Sequence, residues 1–323
     1  MGIAICTDCG KYNCHCADKR NGRVILIIAR RFPLEKQALL DMLNRDIADE
    51  HAAIIRYLVH GYMEGEDTPL GASLISITRE EMWHMHWLGL IIGKLGGEPN
   101  FTPAPYPYDP TSRATMLRSY IKYEEKLTPH YNEEVNKVDD LHIRRVLRRE
   151  AWESSIHARK FQRKLDKLSP EEAAGLPGEE SELPKELLDK LQAEVTSKYT
   201  EMLQHLRTSW VFQQDENMGW KIMDQAMEKM KHLAHFAEDI AEDGIRPEFK
   251  PGQIDKSIAI GLALKKALED VQAARERHIK LREDSEVKKH SGLVINMDIT
   301  IQQEEYQGAE LEDWGKNKAK GDV

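Results

Sequence analysis

Long apolar runs are missing from this sequence. The longest, Val24 to Ala29, is flanked by arginines and falls far short of the ~20 residues a membrane-spanning helix needs. No charged-then-apolar leader opens the chain, and Met1-Gly2 is followed by Cys6 where a myristoylation signal has Ser or Thr. A membrane is therefore not an expected partner, and a cytoplasmic location is expected. Positive charge is also in short supply. The 46 Lys and Arg face 55 Asp and Glu, a formal charge of -9, which argues against nucleic acid or an anionic surface as the main partner. Cysteine is scarcer still. All four lie before residue 17, so no disulfide staples the rest of the 323-residue chain.

What is present begins with those cysteines. Cys6, Cys9, Cys14 and Cys16 crowd around Gly10, which allows a tight turn. The spacing suits a small tetrathiolate knuckle over residues 1–22, with zinc the first choice and an iron–thiolate redox centre the second. A cysteine-rich tail without metal is the bland reading. The Cys-x-x-Cys-His pattern of c-type haem is absent.

Beyond a short β-branched run at Arg23 to Arg30, the apolar residues recur every three to four positions, the period of helices. A long helix is expected over Leu34 to Met63. A second follows Thr68 (N-cap) and Pro69 and stops at Gly96-Gly97. Five prolines between Pro99 and Pro110 demand a long crossover. A third helix, capped by Thr111 or Ser112 and kinked at Pro129, runs to about Val138. A fourth covers Leu141 to Leu168 after Asp139-Asp140. Residues 34–168 thus read as a four-helix bundle with one long connection. Residues 169–183 form a linker. The pattern then repeats over 184–314, with helices at Pro184 to Phe212, Asn217 to Glu242, Ile254 to Glu283 and Gly292 to Trp314, and a charged tail, 315–323, closes the chain.

Each helix of the first repeat carries an acid on its apolar stripe: Glu50, then Glu81 and His84 three residues apart, then Glu124, then Glu150. A carboxylate and an imidazole at that helical spacing can hold one metal ion, although a lone Glu-x-x-His is more often a solvated pair. Glu50 is followed by Tyr57 and His60. Helix two reads Glu81-Met82-Trp83-His84, and helix three reads Met116-Leu117-Arg118-Ser119 before Glu124. In these features the chain resembles the bacterioferritin branch of the ferritin-like superfamily, closely over Leu34 to Leu168 and more loosely over Pro184 to Trp314. Rubrerythrins and manganese catalases share much of the pattern.

The resemblance implies an all-α fold of two tandem ferritin-like four-helix bundles behind the Cys-rich knuckle. It implies a di-iron or manganese centre in the first bundle. Glu50 and His84 would be terminal ligands of one metal and Glu124 of the other, with Glu81 and Glu150 bridging. Helix four departs from the family, with Glu153 where the family has His. Glu153 is the preferred sixth ligand and His157, one turn on, the alternative if the helix is distorted. Five carboxylates against two divalent ions would favour hard metals. In the second repeat Glu194, Glu269, Glu304 and His232 match family positions, but Lys229 replaces the bridging acid and Gln307 the helix-four His; Glu228 is out of register. A metal-free structural copy is expected there. Met82 and Met230 stand where bacterioferritins carry haem-ligating methionines, so haem is a candidate cofactor between the repeats, with core packing the plainer reading.

The activity implied is ferroxidase-type oxidation of Fe(II) by dioxygen or hydrogen peroxide, with Tyr57 as hydrogen-bond donor or one-electron relay. A rubrerythrin-like peroxidase or a manganese-catalase-like scavenger is one alternative, and a non-enzymatic metal carrier or scaffold is another. A homo-oligomer and a redox partner protein are expected to accompany an enzyme of this kind.

Overall fold

The computed structural model describes residues 34–176, 183–215 and 218–321. Cys6, Cys9, Cys14, Cys16 and the run at 23–30 lie outside the described residues. Among the described residues every regular element is helical. None is long and apolar enough to cross a membrane.

The first half contains α1 (Lys36–Glu64), α2 (Pro69–Lys94), α3 (Arg113–Val135) and α4 (Leu141–Leu165). Local chemistry sets their ends. Thr68 Oγ1 accepts the Gly71 N–H at 2.9 Å, and Pro69 takes the first helical position, where its missing N–H costs nothing. Gly96 ends α2 at φ +71°, a left-handed conformation that glycine adopts without strain. Ser112 and Thr115 form a reciprocal cap on α3, and Asp140 caps α4. The α3 helix runs through Pro129 unbroken.

Helices α1 and α2 form one antiparallel pair, and α3 and α4 another. The proline-rich crossover between the pairs is tied down. The Ala104 N–H donates to the Ala48 carbonyl at 2.8 Å, Asn44 holds both Glu98 and Asn100, and Phe101 and Tyr106 are buried.

A short helix α5 (Pro170–Ala174), closed by a Ser169–Glu172 capping box, occupies what the sequence reads as linker. The second half repeats the pairing with α6 (Lys185–Val211) on α7 (Met218–Glu242) and α8 (Ile260–Arg282) on α9 (Ser291–Gly321). Two boundaries of this half differ from the sequence reading by six residues or more. The fourth helix continues through 315–321 instead of fraying at Trp314, and the third begins at Ile260, six residues later than Ile254.

The halves join where α2 packs on α6 and α1 on α7. Trp210 of α6 is wholly buried against two glycines of α2. A Cβ at Gly89 would meet the indole ring at 2.3 Å, and one at Gly93 would meet the Trp210 carbonyl at 2.1 Å. The indole N–H donates to His86 Nδ1 at 3.0 Å, and Arg207 grips Glu98 through two bonds of 2.6 and 2.8 Å. One hydrophobic core runs from the first bundle into α6 and α7, and a smaller cluster around Leu264, Val271 and Trp314 fills the far end.

Candidate metal centre

Four helices bring their acids to the middle of the first bundle. Glu50, Glu81, His84, Glu124, Glu150 and His157 are all at most 1% exposed. Two groups of three form among them: Glu50, Glu81 and His84, and then Glu81, Glu124 and His157. In each group, one ligand atom from every residue lies within 4.8 Å of the others, and Glu81 belongs to both.

The two imidazoles are held in the same way. His84 turns Nδ1 inward, 2.8 Å from Glu81 Oε2 and 3.3 Å from Glu50 Oε2, while its Nε2 lies 2.6 Å from Glu153 Oε2. His157 turns Nδ1 toward Glu81 Oε1 at 2.7 Å and Glu124 Oε1 at 4.0 Å, and its Nε2 lies 2.8 Å from Glu80 Oε2. Each ring thus leans on an outer carboxylate and presents its other nitrogen to the cluster. That arrangement fixes the tautomer of a metal-ligating histidine.

Helix four therefore departs from the sequence preference. His157, not Glu153, reaches Glu81 and Glu124; Glu153 sits outside, between His84 and Arg149. The residue three before His157 is Ser154, also buried, and Glu150 stands one turn earlier. Glu150 is outside both three-residue groups, and its two oxygens lack hydrogen-bond partners, as does Glu124 Oε2.

Electrostatics explain how so many ionisable groups share a dry site. Burial, then the charge of Glu81, pushes Glu50 up to about 7 and Glu124 well above the usual carboxylate range. Burial also lifts Glu150 well above it, His84 opposing and Glu50 and Asp46 adding. Glu81 goes the other way: burial would raise it, but the imidazoles of His157 and His84 hold it well below. His157, despite burial, is pushed up to about 10 by Glu81, Glu80 and Glu124. Protons thus hold the positive charge that bound cations would otherwise supply.

Tyrosines brace the acids. Tyr57 donates to Glu124 Oε1 at 2.6 Å and meets the Tyr106 hydroxyl at 3.0 Å, and Tyr131 donates to Glu50. The sequence reading missed Tyr131, although it lies seven residues after Glu124 on the same helical stripe. Glu80 was also missed.

In the second half the cluster is built from opposite charges. A shift of 148 residues, the separation of the touching pair His51 and Tyr199, carries Glu50 to Lys198, Glu81 to Lys229 and His84 to His232. Lys198 Nζ lies 2.8 Å from Glu201 and 2.5 Å from Glu304; Lys229 Nζ lies 3.2 Å from Glu201. His232 Nε2 bonds Gln303 as His84 Nε2 bonds Glu153. That match aligns Glu304 with Ser154 and Gln307 with His157. Glu269 does not belong to the cluster: its side chain is 57% exposed on α8, whose inner stripe carries Val271, Ala274 and His278. Glu228 pairs with Lys231 near the surface.

Met82 and Met230 both line a cavity of about 370 Å³ between the halves, walled by Leu58, Met85, Leu206 and Met223 and edged by Arg79 and Lys231.

No family model matches this chain, and no curated protein or solved structure matches it either. The fold and the site by themselves define a class: a chain, helical throughout its described regular elements, whose first bundle buries carboxylate and imidazole groups that could hold a metal ion.

Proposed function

We propose that the first bundle is a ferritin-like di-metal carboxylate centre that oxidises Fe(II) with dioxygen or hydrogen peroxide. One observation carries the reading: two buried three-residue groups on four helices share the Glu81 carboxylate, as a pair of ions would require. Glu50, Glu81 and His84 would hold one ion, and Glu81, Glu124 and His157 the other. The donor set fits. The buried, unpartnered oxygens of Glu124 and Glu150 lack the positive partner that buried carboxylates need. With Glu150 included, four carboxylates balance two divalent ions, and oxygen donors with two imidazoles suit iron or manganese.

Two Fe(II) ions held there would supply two electrons to the oxidant. The protein's own part is positioning. Glu153 and Glu80 fix the imidazoles, Tyr131 and Tyr57 orient Glu50 and Glu124, and the surrounding helices exclude water. The Tyr57 hydroxyl touches both Glu124 and Tyr106, so it can pass a proton between the centre and the crossover. The second bundle is a structural copy in which Lys198 and Lys229 replace the cations.

The test is anaerobic Fe(II) titration of the purified chain followed by exposure to oxidant. About two irons per chain that are lost in Glu81→Ala, and that are oxidised rapidly in the wild type, support the reading. A chain that takes up neither Fe(II) nor Mn(II) overturns the centre and leaves a scaffold.

A second reading rests on the cavity between the halves. Its volume falls within the range of small-molecule pockets, roughly 300–1,000 Å³. Its apolar wall carries Met82 and Met230, and Arg79 and Lys231 stand at its edge to meet acidic substituents, so a haem is the cofactor it fits. Absorption near the Soret region after reconstitution, lost in Met82→Ala/Met230→Ala, supports it; unchanged binding in that variant removes the methionines from the site.

A further inference from the structure

A second cluster on the first bundle shares none of the six residues above. Asp46 sits on α1 one turn before Glu50, and His130 and Glu134 sit one turn apart on α3. His130 Nε2 is 3.3 Å from Asp46 Oδ1 and 3.4 Å from Glu134 Oε1. One ligand atom from each of the three lies within 4.8 Å of the others. Asp46 and Glu134 are 0% and 1% exposed, whereas the His130 side chain is 35% exposed and opens the cluster to solvent. Asp46 Oδ2 and Glu134 Oε2 are buried without a hydrogen-bond partner. The Arg45 guanidinium is 3.9 Å from Glu134 and itself largely exposed, so it compensates little.

Two buried carboxyl groups in contact need a proton or a cation between them. Burial lifts both carboxyls up to about 8; the charge of Asp46 adds to it at Glu134, while at Asp46 the contact with Glu134 opposes it and the charges of Asp49 and Glu50 add. The second bundle indicates which solution the site is made for. The 148-residue shift carries Asp46 to Glu194, and Arg277 stands as far into α8 as His130 does into α3. There Glu194 meets the buried His278 imidazole at 3.0 Å and, at the register of His130, the Arg277 guanidinium at 3.3 and 3.4 Å. The copy thus puts a fixed positive charge where the first bundle has a neutral-capable imidazole. At Lys198 and Lys229 it puts lysines where the first bundle has the carboxylates of Glu50 and Glu81.

We propose that Asp46, His130 Nε2 and Glu134 form a divalent-cation site separate from the shared-Glu81 centre, tying α1 to α3. One imidazole and two carboxylates suit Mn²⁺, Fe²⁺ or Zn²⁺. The site stands or falls independently of the centre.

The test is equilibrium dialysis of the metal-stripped full chain against Mn²⁺, a hard ion that thiolates bind poorly, with bound metal counted per chain. His130→Ala, a change at a partly exposed position, is expected to lose one Mn²⁺ per chain. Glu81→Ala/His84→Ala is expected to keep one Mn²⁺ that adding His130→Ala removes. A wild type that binds a single Mn²⁺, lost in His130→Ala, supports this site and counts against the centre. An unchanged count in His130→Ala, or no bound Mn²⁺ in Glu81→Ala/His84→Ala, overturns the proposal.

Discussion

His84 and His157 each spend one ring nitrogen on an outer carboxylate and offer the other to the cluster. The outer acids should therefore matter without being ligands. Glu153→Gln and Glu80→Gln are expected to weaken Mn²⁺ or Fe(II) binding by about 10- to 100-fold, the usual effect of losing such an orienting partner. His157→Ala should weaken it further; direct metal titration of the three variants makes the comparison, and equal effects would put the ligand assignment in doubt. Glu50, Glu81, His84 and Glu124 were legible in the sequence because each lies on an apolar stripe of its own helix. The choice between Glu153 and His157 was not. A helix of 3.6 residues per turn carries residues three and seven past Glu150 onto nearly the same stripe, and only the seating of α4 against α2 decides which turn meets Glu81. Lys198 escaped notice because a lysine on a core stripe makes sense only beside Glu201 and Glu304, which partner it in space.

The elements divide in the same way between what is local and what is not. The cap at Thr68 was readable, and that of α3 was narrowed to Thr111 or Ser112, because each acts over three residues. The seam between the halves was not readable, since nothing in Gly89 or Gly93 announces a tryptophan more than 100 residues on. Gly89→Ala forces a methyl group into the Trp210 ring and is expected to cost about 1–3 kcal/mol, the usual price of overpacking. A lowered denaturation midpoint at unchanged slope is the signature. In the second bundle, Lys229→Met leaves Glu201 and Glu304 with Lys198 as their one buried lysine partner. Breaking a buried ion pair in this way costs about 3–5 kcal/mol, so a thermal midpoint within a degree of wild type would mean that the network is already self-sufficient. The α5 helix and the end of α9 lie in polar sequence where periodicity carries no signal.

At the scale of the molecule, the continuous core from α1 to α7 predicts one cooperative unfolding transition for both halves. Two buried histidines make it sensitive to acid. Burial holds His51 at about 4, and burial with the nearby Lys229 charge holds His205 at about 4; both are depressed from 6.5. An unfolded chain therefore binds more protons than the folded one between those values, and stability rises with pH across that window. Going down from pH 6.5 to 4, each buried histidine removes up to about 1.4 kcal/mol per pH unit. The raised carboxyls of Asp46, Glu50 and Glu134 act in the opposite sense, so the rings are read by difference: urea midpoints from pH 7 to 4 should drop further in the wild type than in His51→Gln/His205→Gln, and identical profiles would contradict the neutral burial of these rings.

The cavity at the seam has one more property. A pocket between two identical subunits shows the same wall on both sides, so an occupant can lie in either of two equivalent ways. Here the walls differ: Glu66, Arg79 and Trp83 come from one half, Met227 and Lys231 from the other. An occupant therefore meets two walls of different chemistry, one acid and one base on the first and one base on the second, and its two faces are not equivalent. Fusing the two bundles in one chain thus turns a two-fold symmetric groove into one whose sides differ.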